Sequence, residues 1–147
     1  MHALLKKMNF KGHGPILLIN HPEEFKHFIT EFQSETGVHC HAALNSYPFA
    51  LVFVKSAQDI LDNAAKVDAL LVEDGCYWWA YPKKSSKKYK VDIDRDNGWQ
   101  VIGDLGYEGV RMVAIDEDWS AVRFRKAKNI KNLTRDESWR MSKKSEE

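Results

Sequence analysis

The stretch FALVFVKSAQDILDNAAKVDALLVEDGCYWWAY, residues 49–81, decides the fold. Residues 49–55 are apolar at both parities up to Lys55, as a strand covered on both faces must be. Ser56 and Asp59 then stand at capping-box spacing. From Ala57 to about Val72 the spacing predicts a helix that carries Ile60, Leu61, Ala64, Val67 and Leu71 inward. Glu73, Asp74 and Gly75 read as its stop. CYWWAY (76–81) is again apolar at every position but is too short for a buried helix, so it reads as a second buried strand.

The same alternation extends outward. PILLIN (15–20) is an apolar run of strand length. Asn20 stands as an N-cap, Glu23 at capping-box distance and Pro22 in the first turn of a helix closed by Gly37. Phe25, Phe28, Ile29 and Phe32 fall on one face of that helix. VHCHAAL (38–44) reads as a short strand. The few residues between Leu44 and Phe49 cannot carry the chain back along a full strand, at roughly 3.3–3.6 Å per residue. That segment is therefore antiparallel to its successor or a stub at the sheet edge. DRDNGWQVIGDLG (94–106) predicts a third helix with Trp99, Ile102 and Leu105 inward and Gly106 as cap, although Gly98 and Gly103 weaken it. GVRMVAI (109–115) and SAVRFRK (120–126) are joined by a tight turn and must pair antiparallel.

Together these elements predict a three-layer α/β fold. A mostly parallel sheet of five to six strands has helices on its faces and a C-terminal antiparallel hairpin. Residues 1–126 form the expected single domain. Residues 127–147 form a charged tail in which Thr134 and Glu137 cap a short helix holding Trp139.

Composition removes several function classes. The formal charge is +1, so no global field draws the molecule to nucleic acid or membrane. Its longest apolar run is far too short to span a bilayer, and MHALLKKMNF lacks the apolar core of a signal peptide. Cys40 and Cys76 form no CxxC, so a reducing cytoplasm is the simple inference.

In an open α/β sheet, ligands bind outside the carboxyl ends of the parallel strands. Those ends bring forward Asn20, His21, Lys55, Ser56, Lys83, Lys84, Ser85, Ser86, Asp116 and Asp118 as candidate ligand-binding residues. Five lysines fall within residues 83–90, and helix N-termini nearby favour anions. Yet PKKSSKKYK holds no glycine, so it is not a Walker loop, and NHPEEF has none for a dinucleotide fingerprint. Asp92, Asp94 and Asp96 fail as a calcium loop, because Asn97 stands where glycine is required. They read better as a helix cap and first turn. His39 and His41 would share a strand face without a third ligand, so no metal site or cofactor is expected.

Residues 4–126 resemble an uncharacterised bacterial family, catalogued only as a domain of unknown function. The likeness rests on LLKKMNFKG, LLINHPEEF, LVFVKS, DGCYWWAYPKKSS and GYEGVRMVAIDEDWSAVRF, with YPKKSS and AIDEDWS the most specific. The segment order is also similar to the later half of a Rossmann-like methyltransferase. Where such enzymes carry a glycine-rich loop, this chain has Asn20, His21 and Pro22. The family supplies no activity and no catalytic residues.

Three function classes follow. The first is a non-catalytic module that binds an anionic small molecule or a protein partner at the strand ends. The second is a degenerate S-adenosylmethionine-dependent methyltransferase-like enzyme using Asp116 or Asp118 near the Lys83 loop. The third is a nucleic-acid-binding accessory protein using Lys83, Lys84, Lys87, Lys88 and Lys90 with Tyr81 and Tyr89. The absence of any catalytic constellation in the sequence favours the first.

Overall fold

The computed structural model describes residues 1–12 and 14–130. In chain order the elements are α1 (Ala3–Lys7), β1 (Ile16–Ile19), a 3-10 turn (Glu23–Phe25), α2 (Lys26–Phe32), β2 (Val38–His39) and β3 (Tyr47–Phe53). Then come α3 (Ala57–Asp68), β4 (Leu71–Pro82), α4 (Gln100–Gly103), β5 (Tyr107–Ala114), β6 (Trp119–Lys126) and a second 3-10 turn (Ala127–Asn129). The strands make one sheet in the order β2-β1-β3-β4-β6-β5. β1 pairs parallel with β2 and β3, and β3 pairs parallel with β4. β6 runs antiparallel to both β4 and β5. This is the expected fold class, a mixed but mostly parallel sheet with a closing hairpin.

Two cores sit on opposite faces of the sheet, which is why the central strands are apolar at every position. On one face Leu5, Met8, Phe25 and Phe32, from the α1–α2 side, pack on Leu18 and Trp78. On the other, Ile60, Ala64 and Val67 of α3 and Ile102 of α4 pack on Val52 and Trp79. Trp78 and Trp79 are adjacent in sequence, fully buried, and point to opposite layers. By area each contributes about 4–6 kcal/mol of hydrophobic burial.

Several boundaries differ from the sequence reading. α3 stops at Asp68, not near Val72, because Leu70 and Leu71 are drawn into the sheet. The Tyr47 N–H donates to the Leu70 carbonyl, and Tyr47 pairs with Leu71. Within α3 the buried face is Ile60, Ala64 and Val67, and Leu61 is 58% exposed rather than inward. Glu73, Asp74 and Gly75 do not stop the helix. They belong to β4, whose register with β3 shifts there, with Asp74 at φ 53°. Arg125 holds that irregularity by donating from Nε (2.9 Å) and Nη2 (2.7 Å) to the Asp74 carboxylate.

Asn20 caps nothing. It takes φ 60°, and the chain enters the 3-10 turn from Pro22 without a side-chain cap. Gly37 is not a helix cap either, since α2 has ended at Phe32 and the Gly37 carbonyl accepts from the Ile16 N–H. The 38–44 segment is the edge stub, only Val38 and His39 pairing with β1. The third helix shrinks to Gln100–Gly103 with Asp104, not Gly106, at its C-cap, and Gly106 at φ 97° ends the turn that follows. α1 carries no sequence signal strong enough to predict it. It is capped by His2, whose Nδ1 accepts from the Leu4 N–H at 3.1 Å. The tail helix around Trp139 lies outside the described residues.

Candidate functional site

All strands but β6 point the same way, so the ends of β1, β3, β4 and β5 meet the start of β6 along one edge. The loop of residues 83–98 crosses that edge without regular structure. Hydrogen bonds to Asp118 and Glu24 hold it. The Lys83 N–H donates to the Asp118 carbonyl at 2.8 Å. The Ser86 hydroxyl, buried with only 2% exposure, donates to Asp118 Oδ1 (2.7 Å) and accepts from the Lys88 and Tyr89 N–H groups. Further along, the Tyr89 hydroxyl donates to Glu24 Oε2 at 2.6 Å.

Glu24 is the centre of the knot. Trp119 Nε1 donates to the same oxygen at 2.9 Å, and Lys88 Nζ sits 3.1 Å from Oε1. Burial alone would raise the Glu24 pKa. Donation from Tyr89, Trp119 and Lys88 outweighs it and lowers the value to about 2. Burial, then the bond to Glu24, pushes the Tyr89 hydroxyl up to about 12. The Tyr89 ring stacks edge-on against Trp119 and lies beneath the ammonium groups of Lys55 and Lys88, at 5.7 and 5.6 Å.

Several of the candidate residues make structural contacts. Ser56 caps α3, accepting from the Asp59 N–H at 3.0 Å, while Asp59 accepts from Lys55 N–H rather than from Ser56. The α3 amide at Ala57 donates to Asp92 Oδ1 at 3.1 Å. Two first-turn amides of α3, those of Ala57 and Asp59, are thus taken by side chains. Asp116 Oδ1 accepts from Asp118 N–H and Trp119 N–H, both at 2.8 Å, in a tight Asx turn. Asn20 is exposed, and His21 is half-buried with its pKa lowered by burial and by Lys26.

Lys83, Lys84 and Ser85 do line a cavity. An open cleft of about 540 Å³ is floored by Tyr81 and Met112 and rimmed by Lys83, Lys84, Ser85, Asp94, Arg95, Asp96 and Ser120. The Tyr81 hydroxyl lies 3.9 Å from Met112 Sδ, and burial raises its pKa to about 12. A second cleft of about 410 Å³ shares Lys83, Lys84 and Asp94 with the first. The Lys84–Asp94 pair, at 3.5 Å, separates the two. Asp94 also accepts from the Asp96 and Asn97 N–H groups, so it caps a loop turn and not a helix.

Arg95, Met112 and Ser120 were not singled out in the sequence: the pairing of β6 with β4 sets Ser120 opposite Tyr81, that of β5 with β6 brings in Met112, and Arg95 arrives on the irregular loop. His39 Nδ1 meets the Tyr47 hydroxyl at 2.7 Å, and His41 lies past the end of β2. Among the described residues, no group of three or more His, Cys, Asp or Glu side chains is placed to hold a metal ion. Nor does any described helix have the length and apolarity to cross a membrane.

The strand order, with its reversal between β1 and β3 and helices on both faces, defines a Rossmann-like α/β protein. No family model matches the chain, and no curated protein matches it. Among solved structures it is similar to a chain of a fibrillarin/Nop5p complex, at 8% identity and TM-score 0.48, covering 80% of this chain and 74% of that one. It is also similar to a protein in the NADB-Rossmann superfamily from Streptococcus agalactiae, at 9% identity and TM-score 0.44, covering 86% of this chain and 68% of that one.

Proposed function

We propose that the chain is a non-catalytic binding module that takes a small anionic ligand in the cleft over Tyr81 and Met112. The observation that carries this reading is the placement of Lys83, Lys84 and Arg95 around one apolar floor. Lys84 and Arg95 each face a carboxylate, Asp94 at 3.5 Å and Asp96 at 3.7 Å. Lys84, Arg95 and Asp96 are largely exposed, and only Asp94 is mostly covered, so an incoming anion competes with surface pairs worth about 0–1 kcal/mol each. Among the described residues Lys83 has no such partner. The hydroxyl and carboxylates that could perform chemistry, Ser86, Asp116 and Asp118, are committed to loop bonds. That weighs against the methyltransferase-like alternative.

Titration with inorganic phosphate, read as the thermal midpoint, tests the proposal. At about 100 times its Kd, a ligand adds roughly 2.7 kcal/mol, or ~5–11 °C for a chain of this size. Lys83→Ala/Lys84→Ala should keep the fold and lose that increment. Lys87→Ala is the control, since Lys87 is exposed, whereas Lys88 is engaged by Glu24. Equal phosphate-dependent shifts in wild type, double variant and control would leave only general salt stabilisation.

A further inference from the structure

Among the described residues β5 is the last strand of the sheet, and its outer side from Val110 to Ala114 carries an unusual combination of residues. Val110 and Met112 are 40% and 43% exposed, and Arg111 between them is exposed as well. Edge strands are normally blunted by lysine or proline, and Tyr107–Ala114 contains neither. A register shift at Gly109–Arg111 disturbs its first half, but from Arg111 to Ala114 the pairing with β6 is regular. Ile115 donates its N–H to the Trp119 carbonyl at 2.9 Å. Antiparallel bonding therefore falls on Ile115, Val113 and Arg111, and turns the N–H and C=O of Met112 and Ala114 to the open side.

The two faces of that edge differ in chemistry. Arg111 shares a face with Val113, and its direct cross-strand neighbour is Arg123. Like charges directly opposite destabilise a sheet. Among the described residues Asp74 engages Arg125, while Arg111 and Arg123 have no carboxylate at salt-bridge distance, and Arg123 Nε is buried without a partner. On the other face Met112 meets Tyr81.

We infer that β5 is a docking edge for an extended protein segment that alternates acidic and apolar residues. The segment adds as a strand beside Arg111–Ala114. Its carboxylates meet the Arg111–Arg123 pair on one face, and its apolar side chains cover Met112 on the other. Main-chain bonds supply affinity, and the alternate side chains supply selectivity. A second copy of this chain is disfavoured as the occupant, because edge-to-edge pairing would bring two Arg111–Arg123 pairs onto one face. The inference does not depend on the Lys83–Lys84 cleft holding an anion.

Fluorescence anisotropy of a short labelled peptide alternating glutamate and valine, against the intact chain, tests it. Saturable binding is expected, with slowed amide exchange at Met112 and Ala114. Arg111→Glu should weaken binding at least about tenfold, the loss of one or more charge-assisted bonds. Ala114→Pro removes an outward N–H from an edge strand, a position where proline is tolerated, and should abolish binding. Lys87→Ala should leave peptide binding unchanged, and the phosphate titration of the intact chain reads the cleft separately from this outcome. Absent peptide binding would overturn the inference. So would binding without protection of the Met112 and Ala114 amides, should Ala114→Pro not fold. A labelled single-stranded DNA that binds more tightly than the peptide and is released by Arg111→Glu would assign the arginine face to nucleic acid instead.

Discussion

Glu24 connects three distant parts of the chain, and its partners lie 65 residues away at Tyr89 and 95 away at Trp119. Nothing in the local pattern NHPEEF distinguishes it from Glu23, which pairs with Lys26 on the surface. Ser56, by contrast, was legible as a cap because its partner is three residues on. The distinction is physical: short-range bonds are written in spacing, and long-range ones only in the finished fold. The lowered Glu24 pKa sets a direction for acid stability. A carboxylate whose folded value lies below its ordinary 4.5 stabilises the fold above that value, and this is lost as pH falls toward about 2. Urea unfolding of wild type should therefore show stability declining from about pH 5 downward. Glu24→Gln should cost on the order of 1–2 kcal/mol at pH 7, after allowance for solvent screening. The difference between the two proteins should shrink through the same acid window. A constant difference from pH 7 to pH 3 would show that the charge on Glu24 is not what holds the loop.

Among the elements, those with two apolar faces or a clear amphipathic period were readable, and their ends were not. α3 loses its last predicted turn because pairing of Leu71 with Tyr47 competes for the same residues. Residues 94–106 fail as a helix because Gly98 adopts φ +107°, and a Cβ there would stand 2.6 Å from Ile93 Cγ2. Asp92, read with Asp94 as alternative caps for that helix, instead accepts from the Ala57 N–H at the start of α3. Asp92→Ala should therefore destabilise the protein by about 0.5–2 kcal/mol, the usual worth of an N-cap. Asp92→Asn should recover most of that, since an amide oxygen can accept the same bond. Thermal unfolding of the pair distinguishes the roles. If Asn is no better than Ala, Asp92 acts through its charge rather than as an acceptor for the Ala57 N–H.

At the scale of the whole molecule, the hairpin of β5 and β6 was legible from its tight turn, but not which strand would lie inside. β6 takes the inner place despite Arg123 and Arg125, because Ala121, Val122 and Phe124 contact both neighbouring strands and are buried, whereas β5 leaves five of its eight residues exposed or partly so. The strand order also fixes where a nucleotide cofactor would sit in such a sheet: the crevice at the reversal between β1 and β3. Here the chain that follows β1 delivers Glu24 to that crevice, and the chain that follows β3 delivers Lys55. Tyr89 is bonded to the first and lies beneath the second. The turn after β1 offers Asn20, His21 and Pro22, with side chains where a pyrophosphate would need to approach bare backbone. S-adenosylmethionine and dinucleotides would thus have to displace Tyr89 and break a carboxylate held by three donors. Isothermal calorimetry at micromolar concentrations should show no saturable heat with S-adenosylmethionine or NAD, for wild type and for Lys83→Ala/Lys84→Ala alike. Saturable heat in wild type that disappears on Tyr89→Ala would place a cofactor against the tyrosine and replace the binding-module reading with an enzymatic one.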